Sequence, residues 1–157
     1  MKYCCPNPPE PPCKDDGMPR FFAQFAVQAN PPSRTDLPMT VHFQEGDQIR
    51  LSQESQIILS PGYLYLVNYL FLATPEADGY MQIVPKINNT LRLLYSSYAP
   101  AGSTGRNATA SGSFTTNEAL IREALLSFSL TYPSTVRNID ITGAVSVTPL
   151  IKMSTDI

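Results

Sequence analysis

Apolar and polar residues alternate with a period of two over most of the chain, the signature of strands whose successive side chains point to opposite faces. Phe21, Ala23, Phe25 and Val27 alternate with Phe22, Gln24, Ala26 and Gln28, and Asn30-Pro31-Pro32 ends that strand. Val41 and Phe43 flank His42, and Glu45-Gly46-Asp47 turns the chain toward Ile49 and Leu51. Ile57-Ile58-Leu59 leads into the turn Ser60-Pro61-Gly62 and then into the strongest apolar segment, Tyr63–Leu72. Glu76-Ala77-Asp78-Gly79 reads as a hairpin loop before a strand over Tyr80–Ile87, and Asn88-Asn89 as a second turn. Leu91–Tyr95 is short and apolar, and Ala101–Gly105 is a flexible loop. Alternation returns in Asn107–Thr115, Leu125–Thr131 and Arg137–Ile151. Short strands punctuated by Gly, Pro and Asn predict an all-β sandwich or barrel.

One stretch competes with that pattern. Asn117–Leu126 combines an N-cap residue with strong helix formers, and is about three turns long at most. It reads as a turn or short helix feeding a strand from about Leu125.

The segment Tyr63–Leu72 needs cover on both faces. One face carries Tyr63, Tyr65, Val67, Tyr69 and Phe71; the other carries Leu64, Leu66, Asn68, Leu70 and Leu72. An antiparallel strand in a lone sandwich buries one face and wets the other. Leaving five such side chains in water forgoes roughly 1.5–3 kcal/mol each, comparable in sum to the stability of a whole domain. The aliphatic face suits the core between two sheets. The aromatic face, with hydroxyls at its ring tips, suits a subunit interface. An oligomer is therefore expected, with Tyr63, Tyr65, Val67, Tyr69 and Phe71 as the contact residues.

Composition sharpens this reading. Only 15% of the 157 residues are charged, against about 25% in ordinary soluble domains. The surface must then be coated with Ser and Thr or be partly hidden in a partner. Proline is in excess, at 15, and is concentrated before residue 39. Residues 1–20 form an extended, Pro-rich leader, because proline fixes φ and removes donors; the folded domain is expected over 21–157. All three cysteines, Cys4, Cys5 and Cys13, lie in that leader, and an odd count leaves a thiol for a cross-link between chains or in the free state. A zinc site lacks paired ligand spacing, with His42 far off in sequence.

The net charge of −2 offers no basic footprint for nucleic acid. The apolar run Tyr63–Thr74 is well short of the roughly 20 residues of a membrane helix, and Met1–Pro6 has no apolar signal region. Cytoplasmic production is expected, with any surface location reached by another route, such as release on lysis.

Catalytic chemistry is short of material. His42 is the sole histidine and there is no G-x-S-x-G elbow, so a Ser/His/Asp site has no support. The carboxylate pairs Glu45/Asp47 and Glu76/Asp78 lie in turns, where acidic residues bond local backbone, and neither approaches a calcium-loop ligand series. Ala101–Arg106 lacks the Gly-Lys-Ser/Thr ending of a phosphate loop. The sequons Asn88-Asn89-Thr90 and Asn107-Ala108-Thr109 matter only in a eukaryotic secretory pathway. No enzyme activity, cofactor or metal is expected.

The turn and strand Pro61-Gly62-Tyr63-Leu64-Tyr65-Leu66-Val67-Asn68-Tyr69 resemble the P-G-x-Y-x-F-x-Y signature of C1q/TNF-like domains. They are most similar to the bacterial version that ends the collagen-like glycoproteins of the spore exosporium. Phe21–Phe25, Ile57–Ser60, Tyr80–Thr90, Ala110–Ser113 and Ile139–Ile151 fall where other strands of that family belong, so the resemblance spans about residues 21–153. The chain departs from the family in carrying a Pro/Cys head instead of a collagen stalk. It also has Arg122-Glu123-Ala124 near the place of a frequent Gly-Asp. The resemblance implies an antiparallel ten-strand jelly-roll sandwich assembling as a homotrimer, with the aromatic face of Tyr63–Phe71 near the three-fold axis. Three roles follow in order of preference. The first is a non-enzymatic structural or interaction protein of a bacterial surface or spore layer, tethered by its cysteines. The second is a lectin-like module that binds a glycan or protein through its loops, and a jelly-roll enzyme is a remote third.

Overall fold

The computed structural model describes residues 17–133 and 137–153. Cys4, Cys5, Cys13 and most of the proposed leader lie outside the described residues. The described residues form twelve antiparallel strands: β1 (Phe22–Ala29), β2 (Thr35–Asp36), β3 (Thr40–Glu45), β4 (Ile49–Ser52), β5 (Gln56–Leu59), β6 (Tyr63–Ala73), β7 (Tyr80–Ile87), β8 (Thr90–Leu91), β9 (Ser97–Pro100), β10 (Ala108–Thr116), β11 (Ala124–Thr131) and β12 (Ile141–Lys152). Ten have four or more residues, as the jelly-roll expectation requires; β2 and β8 are two-residue pairings.

The strands make two sheets. The five-stranded sheet runs β10-β6-β12-β1-β3; the seven-stranded sheet runs β4-β5-β11-β7-β8, with β2 added on β11 and β9 on β7. The inner faces enclose one core in which Phe25, Phe71, Phe128, Tyr65, Leu126 and Ile83 are fully buried. β6 lies between β10 and β12 over nearly its whole length, so its backbone is saturated on both sides.

Local chemistry explains the turns. Gly62 adopts φ +93°, which only glycine takes without strain, and the Pro61-Gly62 turn launches β6. Asn88 and Asn89, at φ 52° and 63°, join β7 to β8 in the paired left-handed conformation that Asn tolerates. The helix-forming run after Thr116 resolves into one 3-10 turn, Glu118–Leu120, followed by β11 from Ala124. Leu93–Tyr95 is a second 3-10 turn, and the strand of that region is β9, which the apolar pattern did not single out. β9 has only one paired neighbour and a single buried residue, Ala99, so it carries little hydrophobic signal.

At one end of the sandwich Tyr132 and Asn30 tie loops from both sheets together. The Tyr132 hydroxyl donates to the Pro31 carbonyl at 2.7 Å, and Asn30 Nδ2 donates to the Ile139 carbonyl at 3.0 Å.

Candidate assembly surface

β6 has two apolar faces, but their roles are the reverse of those expected from sequence. Tyr65, Val67, Tyr69 and Phe71 are buried within a single chain, between the two sheets, and have no surface left for a neighbouring subunit. Tyr63 is half-buried at the margin, where its ring meets Phe21 edge-on at 4.8 Å. The physical reason is volume. Facing sheets stand about 10 Å apart, and rings fill that gap where their neighbours are small. Tyr69 sits opposite Gly112 on β10, and Phe71 opposite Gly143 on β12. A Cβ on Gly112 would come within 2.6 Å of the Tyr69 hydroxyl oxygen, so the missing side chain makes room for the ring. Tyr69 packs on Phe128 at 5.3 Å, with Phe71 at 5.7 Å and Phe114 at 6.4 Å.

The tyrosine tips do find partners, as amphipathic rings must, but the partners are backbone carbonyls of the same chain. Tyr65 donates to Ser60 O at 2.8 Å and Tyr69 to Tyr95 O at 2.7 Å. Burial raises the pKa of both phenols above the usual tyrosine value, with a smaller contribution at Tyr65 from neighbouring Tyr63.

The aliphatic face of β6 therefore points outward. Leu70 is 54% and Leu72 44% exposed, with Asn68 exposed beside them. Register places them in a continuous surface. Asn68, Leu70 and Leu72 stand between Ser146, Ala144 and Thr142 of β12 and Ser113, Ser111 and Thr109 of β10. Beyond β12 come Gln24, Ala26 and Gln28 of β1. Phe43 of β3 closes the row beside Gln24 and packs on Phe22 at 5.9 Å while remaining 51% exposed.

Charge is almost absent from this sheet. β1, β6 and β10 contain no Asp, Glu, Lys or Arg; β12 has only Lys152 and β3 only Glu45, each at a strand end. The other sheet and its flanking loops are ion-paired: Lys86 bonds Asp36 at 2.8 Å and Arg50 bonds Glu123 at 2.9 Å. A broad face with exposed Leu and Phe, small hydroxyls and no central charge has the composition of an interface core. The sequence signal for it was the low overall charge, and the long charge-free strands β1, β6 and β10 are part of its local form, although β5, β8, β9 and β11 of the other sheet also lack charge.

The other residues considered from sequence do not converge. His42 and Glu45 are exposed on edge strand β3, Glu45 at its end, and Asp47 and Asp78 are exposed in turns. Among the described residues there is no group of three or more His, Cys, Asp or Glu placed to hold a metal. No described helix is long and apolar enough to cross a membrane.

Comparison with known proteins bears on the fold alone. No protein-family model matches the chain, and a search of characterised proteins by sequence finds no match. Among solved structures, Eiger TNF from S. frugiperda superposes with a TM-score of 0.54 at 9% identity, over 87% of this chain and 97% of that one. The PRD1 vertex protein P5 gives 0.51 at 17% identity, over 85% and 97%. Murine APRIL also matches, at 0.49 and 12% identity, over 79% and 98%. The chain has a TNF-like jelly-roll fold. In this jelly roll the charge-free surface is the outer face of the sheet that holds β6.

Proposed function

We propose that this TNF-like jelly roll is a non-enzymatic structural and interaction protein that works as a homotrimer in a bacterial surface or spore-associated layer. The observation that carries the reading is the uncharged outer face of the five-stranded sheet, with Leu70, Leu72 and Phe43 about half exposed. In a lone protomer these side chains forgo roughly 1–2 kcal/mol each, and a second copy is the partner guaranteed to be present at high local concentration. The contact residues are the aliphatic set Leu66, Leu70 and Leu72 with Phe22 and Phe43; the aromatic set is taken up by the core. A three-fold ring satisfies such a face by a heterologous contact that closes on itself and leaves no open end. Cys4, Cys5 and Cys13 then serve to tether or cross-link trimers in the layer.

Surface labelling tests the role. Antibody to the protein should decorate intact spores or cells. Non-reducing gels of the extracted layer should show ladders that collapse in a Cys4→Ser, Cys5→Ser, Cys13→Ser variant. Labelling confined to broken cells, with identical ladders, would remove the surface-layer reading.

A further inference from the structure

The outer face of the seven-stranded sheet carries a feature that assembly through the opposite sheet leaves unused. Tyr80 of β7 and Tyr98 of β9 stack with ring centroids 5.1 Å apart and planes 30° from parallel, and Tyr98 is 61% exposed. Register puts polar side chains next to them: Gln82 lies opposite Tyr98, and Thr131 of β11 opposite Gln82. The loops 76–79 and 101–105 meet just beyond this pair. Asp78 N–H donates to Gly102 O at 3.3 Å, and Ala101 N–H to Gly79 O at 2.9 Å, so two loops far apart in sequence form one rim. Asp78 stands in the left-handed region at φ 59° and is exposed on that rim. Among the described residues, no side chain of Tyr80, Tyr98, Gln82 or Thr131 is hydrogen-bonded to a protein group.

We propose that this platform binds a saccharide, with a pyranose ring lying on Tyr98 and its hydroxyls held by Gln82, Thr131 and Asp78. The chemistry matches part by part. A sugar with mostly equatorial substituents has flat C–H faces and a rim of hydroxyls that both donate and accept. The tyrosine pair supplies a flat apolar surface. The amide of Gln82 and the hydroxyl of Thr131 both donate and accept, while the Asp78 carboxylate accepts. A docked protein would call for a much larger patch, roughly 800 Å² per partner and depleted in charge at its centre. The opposite arrangement, one small aromatic platform ringed by uncommitted polar groups, is what a small polyhydroxylated ligand requires. The site lies on the sheet opposite the charge-free one and repeats once per copy.

The test is amide-resolved NMR of the full chain titrated with cellotriose, chitotriose and a β-linked galactotriose. The expected result is saturable shifts confined to residues 76–82, 98–105 and 129–131 with at least one of them. Tyr98→Ala should weaken binding by about tenfold or more, the loss of a buried aromatic contact, whereas Tyr98→Phe should keep most of it. Both substitutions are at the surface, so unchanged thermal unfolding confirms that the fold is intact. The assembly variant Leu70→Glu should bind as tightly per site as wild type, which separates this proposal from the assembly reading. No localised shift with any of the three, shifts that map elsewhere, or equal affinity in Tyr98→Ala would overturn it. So would a Tyr98-dependent protein partner with no saccharide binding.

Discussion

Tyr69 shows how single residues settle which face of β6 is inside. Its ring lies over Gly112, touches Phe71, Phe114 and Phe128, and ends in a hydrogen bond to Tyr95 O. Gly112→Ala should force that ring aside and cost about 1–3 kcal/mol, the range for overpacking a filled core. Tyr69→Phe should cost about 1 kcal/mol through the lost hydrogen bond and the carbonyl left behind. Urea unfolding measures both, and a Gly112→Ala variant as stable as wild type would show that the ring has room to spare. The raised phenol pKa values of Tyr65 and Tyr69 add a pH dependence. Unfolded tyrosines ionise near pH 10 while these two keep their protons, so above that pH the native state binds more protons than the unfolded one. Their contribution is constant below about pH 10, and stability falls above it by up to about 1.4 kcal/mol per pH unit per tyrosine. Tyr69→Phe should therefore show a shallower alkaline decline than wild type, and parallel declines would contradict the assignment.

At the scale of elements, period-two alternation located nearly every long strand, because each is half-buried and its side chains sort by face. The same parity is silent about which face turns inward. For β6 both faces are apolar, so alternation could not decide. What decides is the neighbouring strands: Gly112 and Gly143 make room for rings on one side, while the Ser, Thr and Ala of β10 and β12 line the other. Those pairings join residues far apart in the chain and are invisible to a local pattern. β9 escaped the pattern, and the short apolar stretch Leu91–Tyr95 resolves into the end of β8 and a 3-10 turn, for a different reason: each buries little. The β4–β5 connection carries a local conflict. Gln53 and Glu54 both adopt positive φ, 51° and 59°, a conformation that suits Asn and Gly. Glu54→Gly should relieve the strain and stabilise the protein by about 1 kcal/mol, readable as a higher melting temperature. A lower one would mean that the Glu54 side chain contributes more than its backbone costs.

For the molecule as a whole, charge is scarce in the strands of both sheets, and the five-stranded sheet, whose strands carry charge only at two strand ends, has as its outer face the surface proposed for self-assembly. On β6 the faces are exchanged relative to the sequence expectation: the second sheet covers the rings, and no described residue buries Leu70 and Leu72, which stand about half exposed. The tyrosine platform lies on the far side of the sandwich, among ion pairs and loops, so one protomer presents two faces of unlike chemistry. The most direct measurement is the solution mass of the full chain by light scattering at micromolar concentration, for wild type and for Leu70→Glu with Leu72→Glu. A particle of three chains for wild type and a folded monomer for the variant is the expected result. A monomeric wild type, or a trimer indifferent to two buried carboxylates, would contradict the claim that this face is where the copies meet.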